Sequence, residues 1–138
     1  MVRYHMLTAE LIRDSGSKAR GLGHSYVGSV HLLLAMLTSR GSAGQLLRGT
    51  GMDPGLTEKM AAVLCGTGTP ELPLPQGFTR EAREILRLAA AEAELLGSNQ
   101  VRPLHLLLAL TRRHGSTAVM VLRIAGTEPD ELFTMGLE

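Results

Sequence analysis

At 138 residues the chain has the size of one compact domain, able to bury a core without disulfides or a structural metal. Fourteen Lys and Arg against thirteen Asp and Glu leave a net charge of +1, which excludes a field strong enough to gather nucleic acid or anionic lipid. Two Tyr, two Phe and no Trp offer no stacking platform for bases either.

The first predicted helix follows from Thr8, Leu11, Ile12, Ser15, Ala19 and Leu22, which recur at three-and-four spacing. Gly16 costs this helix about 1 kcal/mol relative to alanine, so it is expected to be looser than its later counterpart. A second helix starts with Ser29 as its N-cap and is apolar almost all round from Val30 to Leu37, the mark of a helix enclosed by others. A third begins after Ser42 and stops at Gly51, and a fourth begins with Asp53-Pro54. The segment GTGTPELPLPQG at 66–77 carries no helical pattern and reads as a linker.

Four further helices follow in the same order. Thr79 caps the first, whose apolar positions are Ala82, Ile85, Leu86, Ala89, Ala93 and Leu96 before a left-handed stop at Gly97. Pro103 opens the next in its first turn, and Leu104 to Leu110 again run apolar all round. The last two follow Ser116, with a stop at Gly126, and begin at Glu128-Pro129. No segment alternates apolar and polar residues over strand length, so the fold class is all-α. The apolar runs are far shorter than the roughly 20 residues that span a bilayer, and they read as core.

Sliding the chain by 74 residues superposes Leu22-Gly23 on Leu96-Gly97, Val27 on Val101 and His31-Leu32-Leu33-Leu34-Ala35 on His105-Leu106-Leu107-Leu108-Ala109; of 39 pairs, 13 are identical. After one extra residue, Leu47-Arg48, Gly51 and Pro54 match Leu122-Arg123, Gly126 and Pro129. Such a fixed period marks a structural repeat. We therefore expect one domain over 1–138, with repeat one at about 4–65, the linker at 66–77 and repeat two at 78–138.

Few residues suggest chemistry. His31 and His105 occupy equivalent helix starts, so a metal shared across the pseudo-twofold, or an enzymatic use of the pair, is one reading. Neither helix supplies His-Glu-x-x-His or a carboxylate one turn away, and the expected role is a neutral imidazole bonded to nearby backbone. His5, His24 and His114 fall in loops or fraying ends and read as solvated. His24-Ser25 has no acid beside it to orient a catalytic pair. Arg112-Arg113-His114 reads as a solvated helix end. The single Cys65 reads as a small apolar filler, and it suits a reducing compartment. The start MVRYHMLTAELIRDSG lacks a secretory pattern, so a cytoplasmic location is expected.

The stretches GLGHSYVGSVHLLLAML at 21–37 and FTREAREILRLAAAEAELLG at 78–97 resemble the Clp N-terminal domain, the double repeat at the front of the Clp/Hsp100 ATPases. The resemblance covers nearly the whole chain. It implies two pseudo-twofold-related four-helix Clp repeats and a non-enzymatic role as adaptor, regulator or competitor for a Clp ATPase or its protein substrates, with no cofactor. Sequestration of cyclic peptides or other small ligands that target such domains is the alternative. No Walker loop occurs, so a complete product of this length would be free-standing, without a motor. Many members of the family carry Thr-Glu-His at the central helix starts, and in some that glutamate holds the guanidinium of a phosphorylated arginine. The triplets here are Ser29-Val30-His31 and Pro103-Leu104-His105, and neither valine nor leucine can pair with a guanidinium, so phosphoarginine recognition by that mechanism is not expected. Val30 and Leu104 are consistent both with drift and with pockets made apolar. A second family site surrounds the aromatic residue at the start of each repeat, which here is Tyr4 or Phe78; each reads equally as a staple for its helix or as a partner-binding anchor.

Overall fold

The computed structural model describes residues 2–68 and 77–137; residues 69–76, most of the predicted linker, lie outside them. Eight helices among the described residues fall into two sets of four. The first set is α1 (Met6–Gly21), α2 (Ser29–Leu37), α3 (Ser42–Gly49) and α4 (Pro54–Cys65). The second is α5 (Arg80–Leu95), α6 (Pro103–Arg112), α7 (Thr117–Ile124) and α8 (Pro129–Leu137). Helix α1 runs through Gly16 without a break.

Polar N-cap side chains fix four of the helix starts among the described residues. Thr79 accepts from the Ala82 N–H at 3.1 Å, Asp53 from Leu56 at 2.8 Å and Ser116 from Val119 at 3.1 Å. His5, expected in solvent, instead caps α1, its Nδ1 accepting from the Leu7 N–H at 3.1 Å. It stands where the second repeat has Thr79. Ser29 is not the N-cap of α2: Gly28 holds that place, and Ser29 is the first helical residue. Gly23 and Gly97 both end their helices with φ of 73°, the left-handed conformation that glycine adopts without steric cost.

Helices α2 and α6 form the centre. Leu32, Leu33, Met36 and Leu37 on one, and Leu106, Leu107, Leu108 and Leu110 on the other, are fully buried. Each such side chain contributes about 1.5–3 kcal/mol by leaving water. Helix α2 packs on α1 and α3 and reaches across to α7, while α6 packs on α5 and α8 and reaches across to α3. Both repeats therefore share one core.

The repeats also exchange backbone. The Val101 N–H donates to Arg3 O at 2.7 Å and the His5 N–H to Val101 O at 2.9 Å, an isolated parallel bridge between Tyr4 and Val101. Its pseudo-twofold mate joins Val27 to Phe78, with Val27 N–H donating to Gly77 O at 2.8 Å and Thr79 N–H to Val27 O at 2.9 Å. The start of each repeat is thus held by the other repeat.

Arg112-Arg113-His114 is not a free basic end. Arg112 pairs with the buried Glu92, Arg113 with Glu84 at 3.0 Å and His114 with Asp130 at 2.9 Å. Among the described residues no helix is long and apolar enough to cross a membrane.

Two glycines should respond in opposite directions to alanine. A Cβ at Gly16 meets nothing within 4 Å, so Gly16→Ala is expected to raise the unfolding free energy by about 0.5–1 kcal/mol. A Cβ at Gly23 would lie 2.5 Å from the Gly68 carbonyl carbon, so Gly23→Ala should lower it by about 2 kcal/mol or more. Urea unfolding midpoints read both.

Candidate functional site

The starts of α2 and α6 face two pseudo-equivalent cavities. The first, of about 440 Å³, is lined by His24, Val30, His31, Cys65, Thr79 and Glu81 among others. The second, of about 160 Å³, is lined by His5, Leu7, Ser42, Leu104 and His105 among others. A shift of 74 residues relates Thr79 to His5, Glu81 to Leu7, Val30 to Leu104 and His31 to His105, so the two cavities are copies that have diverged. The structure places Val30 and Leu104 in corresponding walls, with Val30 buried and Leu104 partly buried.

In the first cavity four groups form a row joined by three hydrogen bonds. The Gly28 N–H donates to His31 Nδ1 at 2.7 Å, His31 Nε2 lies 2.7 Å from His24 Nδ1, and His24 Nε2 lies 2.8 Å from Gly66 O. One placement of protons satisfies all of them. His31 Nδ1 accepts, so in the neutral ring Nε2 carries the hydrogen and donates to His24, whose own Nε2–H donates to the Gly66 carbonyl. His24, expected in solvent, is half-buried here and ties the end of α4 to the start of α2. Burial, with the charge of His24 second, lowers the His31 pKa from 6.5 to about 4. His105 reaches back in the same way, its Nδ1 accepting from the Arg102 N–H at 2.9 Å. Its pKa is lowered by burial and by Arg102, against an opposing effect of Glu92. Ser98 takes the place of His24 in the second repeat, so the row stops there.

Glu81 is the residue that the sequence did not announce. It comes from the first turn of α5, in the other repeat, and its Oε1 accepts from the Thr117 N–H at 3.1 Å and from the Ser29 hydroxyl. Ser29 Oγ in turn accepts from the Ala118 N–H at 3.1 Å. The carboxylate and the hydroxyl together satisfy amides at the start of α7, where negative charge is favoured. Cys65 also lines this cavity, and burial followed by the nearby Glu81 raises its thiol pKa. A thiol held protonated in this way is a poor nucleophile.

Tyr4 and Phe78 sit at the bridges between repeats, not in these cavities. Tyr4 is 38% exposed, and Phe78 is partly buried against the core. Phe78 edges a hollow of about 380 Å³ with Ile12, Arg13, Gly16 and Arg20 of α1. The corresponding hollow of the second repeat, about 320 Å³, contains Ala90 and Glu94 of α5 with Arg3.

Among the described residues no group of three or more His, Cys, Asp or Glu is arranged to hold a metal ion. What the first cavity supplies is a row of hydrogen-bonded imidazoles and a committed carboxylate. Because the His31 pKa is lower folded than unfolded, the unfolded chain takes up the proton first. Its contribution is complete above pH 6.5 and declines as pH falls toward 4, by on the order of 3 kcal/mol. His31→Gln keeps an acceptor for the Gly28 N–H but cannot titrate. Urea midpoints measured across this range should fall less for His31→Gln than for the parent chain.

The family model for the Clp repeat (R) N-terminal domain matches residues 5–72 and 77–134. The chloroplastic chaperone protein ClpC3 of Oryza sativa subsp. japonica is 34% identical over 116 residues, covering 83% of this chain and 12% of the relative. The chloroplastic chaperone protein ClpC2 of Arabidopsis thaliana is 30% identical over 133 residues, covering 96% of this chain and 14% of the relative. The chain thus spans a small part of each. Among solved structures, the N-terminal domain of the Arabidopsis thaliana ClpD chaperone superposes with a TM-score of 0.82 at 19% identity, over 98% of this chain and 92% of that one. The Hsp104 N-terminal domain from Candida albicans gives 0.76 at 18% identity, over 99% and 90%. With both repeats matched in order over most of its length, the chain belongs to the Clp repeat N-terminal domain family.

Proposed function

We propose that this domain is a non-enzymatic protein-recognition module, acting as adaptor, regulator or competitor for a Clp ATPase machine or its protein substrates. The observation that carries the reading is the placing of Tyr4 and Phe78. Each aromatic marks a bridge between repeats, and Phe78 edges an open hollow, whereas the titratable groups of the cavities are engaged within the fold. Anchors of this kind, an aromatic on a rigid scaffold beside a hollow, suit protein partners. Cys65, whose thiol pKa is raised, and the histidines, hydrogen-bonded within the fold, supply no activated nucleophile, which supports binding over catalysis. A cysteine kept as a thiol suits a reducing setting such as the cytoplasm.

The test is degradation of a labelled protein by a purified Clp ATPase and its protease, with this chain added in excess. The expected outcome is a changed rate, lost with Tyr4→Ala and with Phe78→Ala once each variant is shown to fold by its thermal transition. An unchanged rate together with no binding to the ATPase or the substrate would overturn the reading; tight binding of a cyclic peptide in that situation would point to sequestration.

Val30 and Leu104 also carry an expectation. With apolar side chains where guanidinium recognition needs carboxylates, calorimetric titration with phosphoarginine should show no saturable binding in the micromolar range. Saturable binding that disappears in Val30→Arg or Leu104→Arg would contradict it.

A further inference from the structure

The hollow beside Phe78 and its counterpart at Ala90 and Glu94 occupy matching places in the two repeats, but they no longer carry the same charge. In the first, Arg13 and Arg20 of α1 are exposed and form no hydrogen bond or ion pair among the described residues. Gly16 and Ser17 lie between them, so the helix surface there is a ledge with almost no side chain above it; a Cβ at Gly16 meets nothing within 4 Å. Ile12, Val27 and Phe78 supply an apolar wall, and Arg83 adds a third guanidinium at the rim by donating to Phe78 O at 3.1 Å. In the second hollow Gly16 is replaced by Ala90 and Arg20 by Glu94. The second repeat keeps Arg87 at the place of Arg13, but its hollow is lined by Glu94 and Arg3, whose charges offset, whereas the first is lined by two arginines and no carboxylate.

Resting on the protein-recognition reading above, we infer that the hollow of the first repeat docks an acidic, extended segment of a partner protein, with an apolar side chain against Phe78. Charge complementarity selects the occupant, since two unpaired guanidiniums favour carboxylates and an apolar wall favours a peptide over a nucleic-acid backbone. Spacing refines it. Residues seven apart on a helix are separated by about 10 Å along its axis. In the extended polyproline II conformation, with three residues per turn and a rise of about 3.1 Å, carboxylates at positions i and i+3 share one face and span about the same distance. The segment therefore presents Asp or Glu at i and i+3, lies along α1 over Gly16, and turns an apolar residue to the wall.

A displayed library of short random peptides, selected on the purified chain, tests this without assuming a sequence. Peptides enriched in acidic residues three apart, with an apolar neighbour, are expected. Their affinity should fall about tenfold in an Arg13→Gln, Arg20→Gln double variant and should weaken with added salt. Gly16→Ala should bind as the parent does, while Gly16→Gln, which covers the ledge, should weaken binding similarly. Enrichment of neutral or basic peptides, no enrichment at all, tighter binding of a single-stranded oligonucleotide, or affinity unchanged within about twofold in the double variant would each overturn the inference. If the double variant still alters degradation by the Clp machine, protein recognition stands and the docking hollow fails. If the parent chain has no effect either, the reading beneath it fails.

Discussion

The structure depends on the exchange of backbone hydrogen bonds between repeats. Each repeat begins with an extended residue, Tyr4 or Phe78, paired to a valine of the other repeat, Val101 or Val27. Those two valines precede the central helices, so the bridges set where α2 and α6 start and how their apolar faces meet. Thr8 adds to the same joint, its hydroxyl donating to Val101 O at 2.6 Å. Glu81 and Ser29, from different repeats, then satisfy the amides at the start of α7. A repeat taken alone would leave these donors and acceptors to water and uncover one side of its central helix. The two halves are best regarded as a dimer joined by its linker, in which association is intramolecular and independent of protein concentration.

Within this frame the histidines of the central helices have a simple physical task. The first turn of a helix leaves amides without partners, and His31 and His105 each reach back to one of them, as a glutamine would in a capping box. Their environments differ, because only His31 has a second imidazole to receive its proton-bearing nitrogen. The cavity copies have diverged accordingly. One holds a hydrogen-bonded row and a carboxylate, and the other holds Leu7 and Leu104 in a smaller space.

Periodicity made most of the fold legible. The 74-residue repeat, the two enclosed helices and the stops at Gly97 and Gly126 all follow from local spacing. The errors were local competitions or long-range pairings. Ser29 was a good N-cap by type, but its hydroxyl is claimed by Glu81 and Ala118, far away in sequence, and Gly28 takes the cap. His24 looked solvated because nothing near it in sequence needs a donor; its partners, His31 and Gly66, are one turn of fold and 42 residues away. Glu81 gave no signal as a cavity residue, because the cavity belongs to the opposite repeat. The nearest hint was its place in the repeat, where Leu7 stands in the first copy.

The charge difference between the two hollows also breaks the symmetry of the double repeat. A perfectly symmetric double repeat would offer any ligand two equivalent seats and two orientations, and a long ligand could slip between them. Replacement of Arg20 by Glu94 in the second copy removes that degeneracy. For a ligand that reads charge the two seats are no longer equivalent, so the pseudo-twofold core carries a surface that is itself asymmetric.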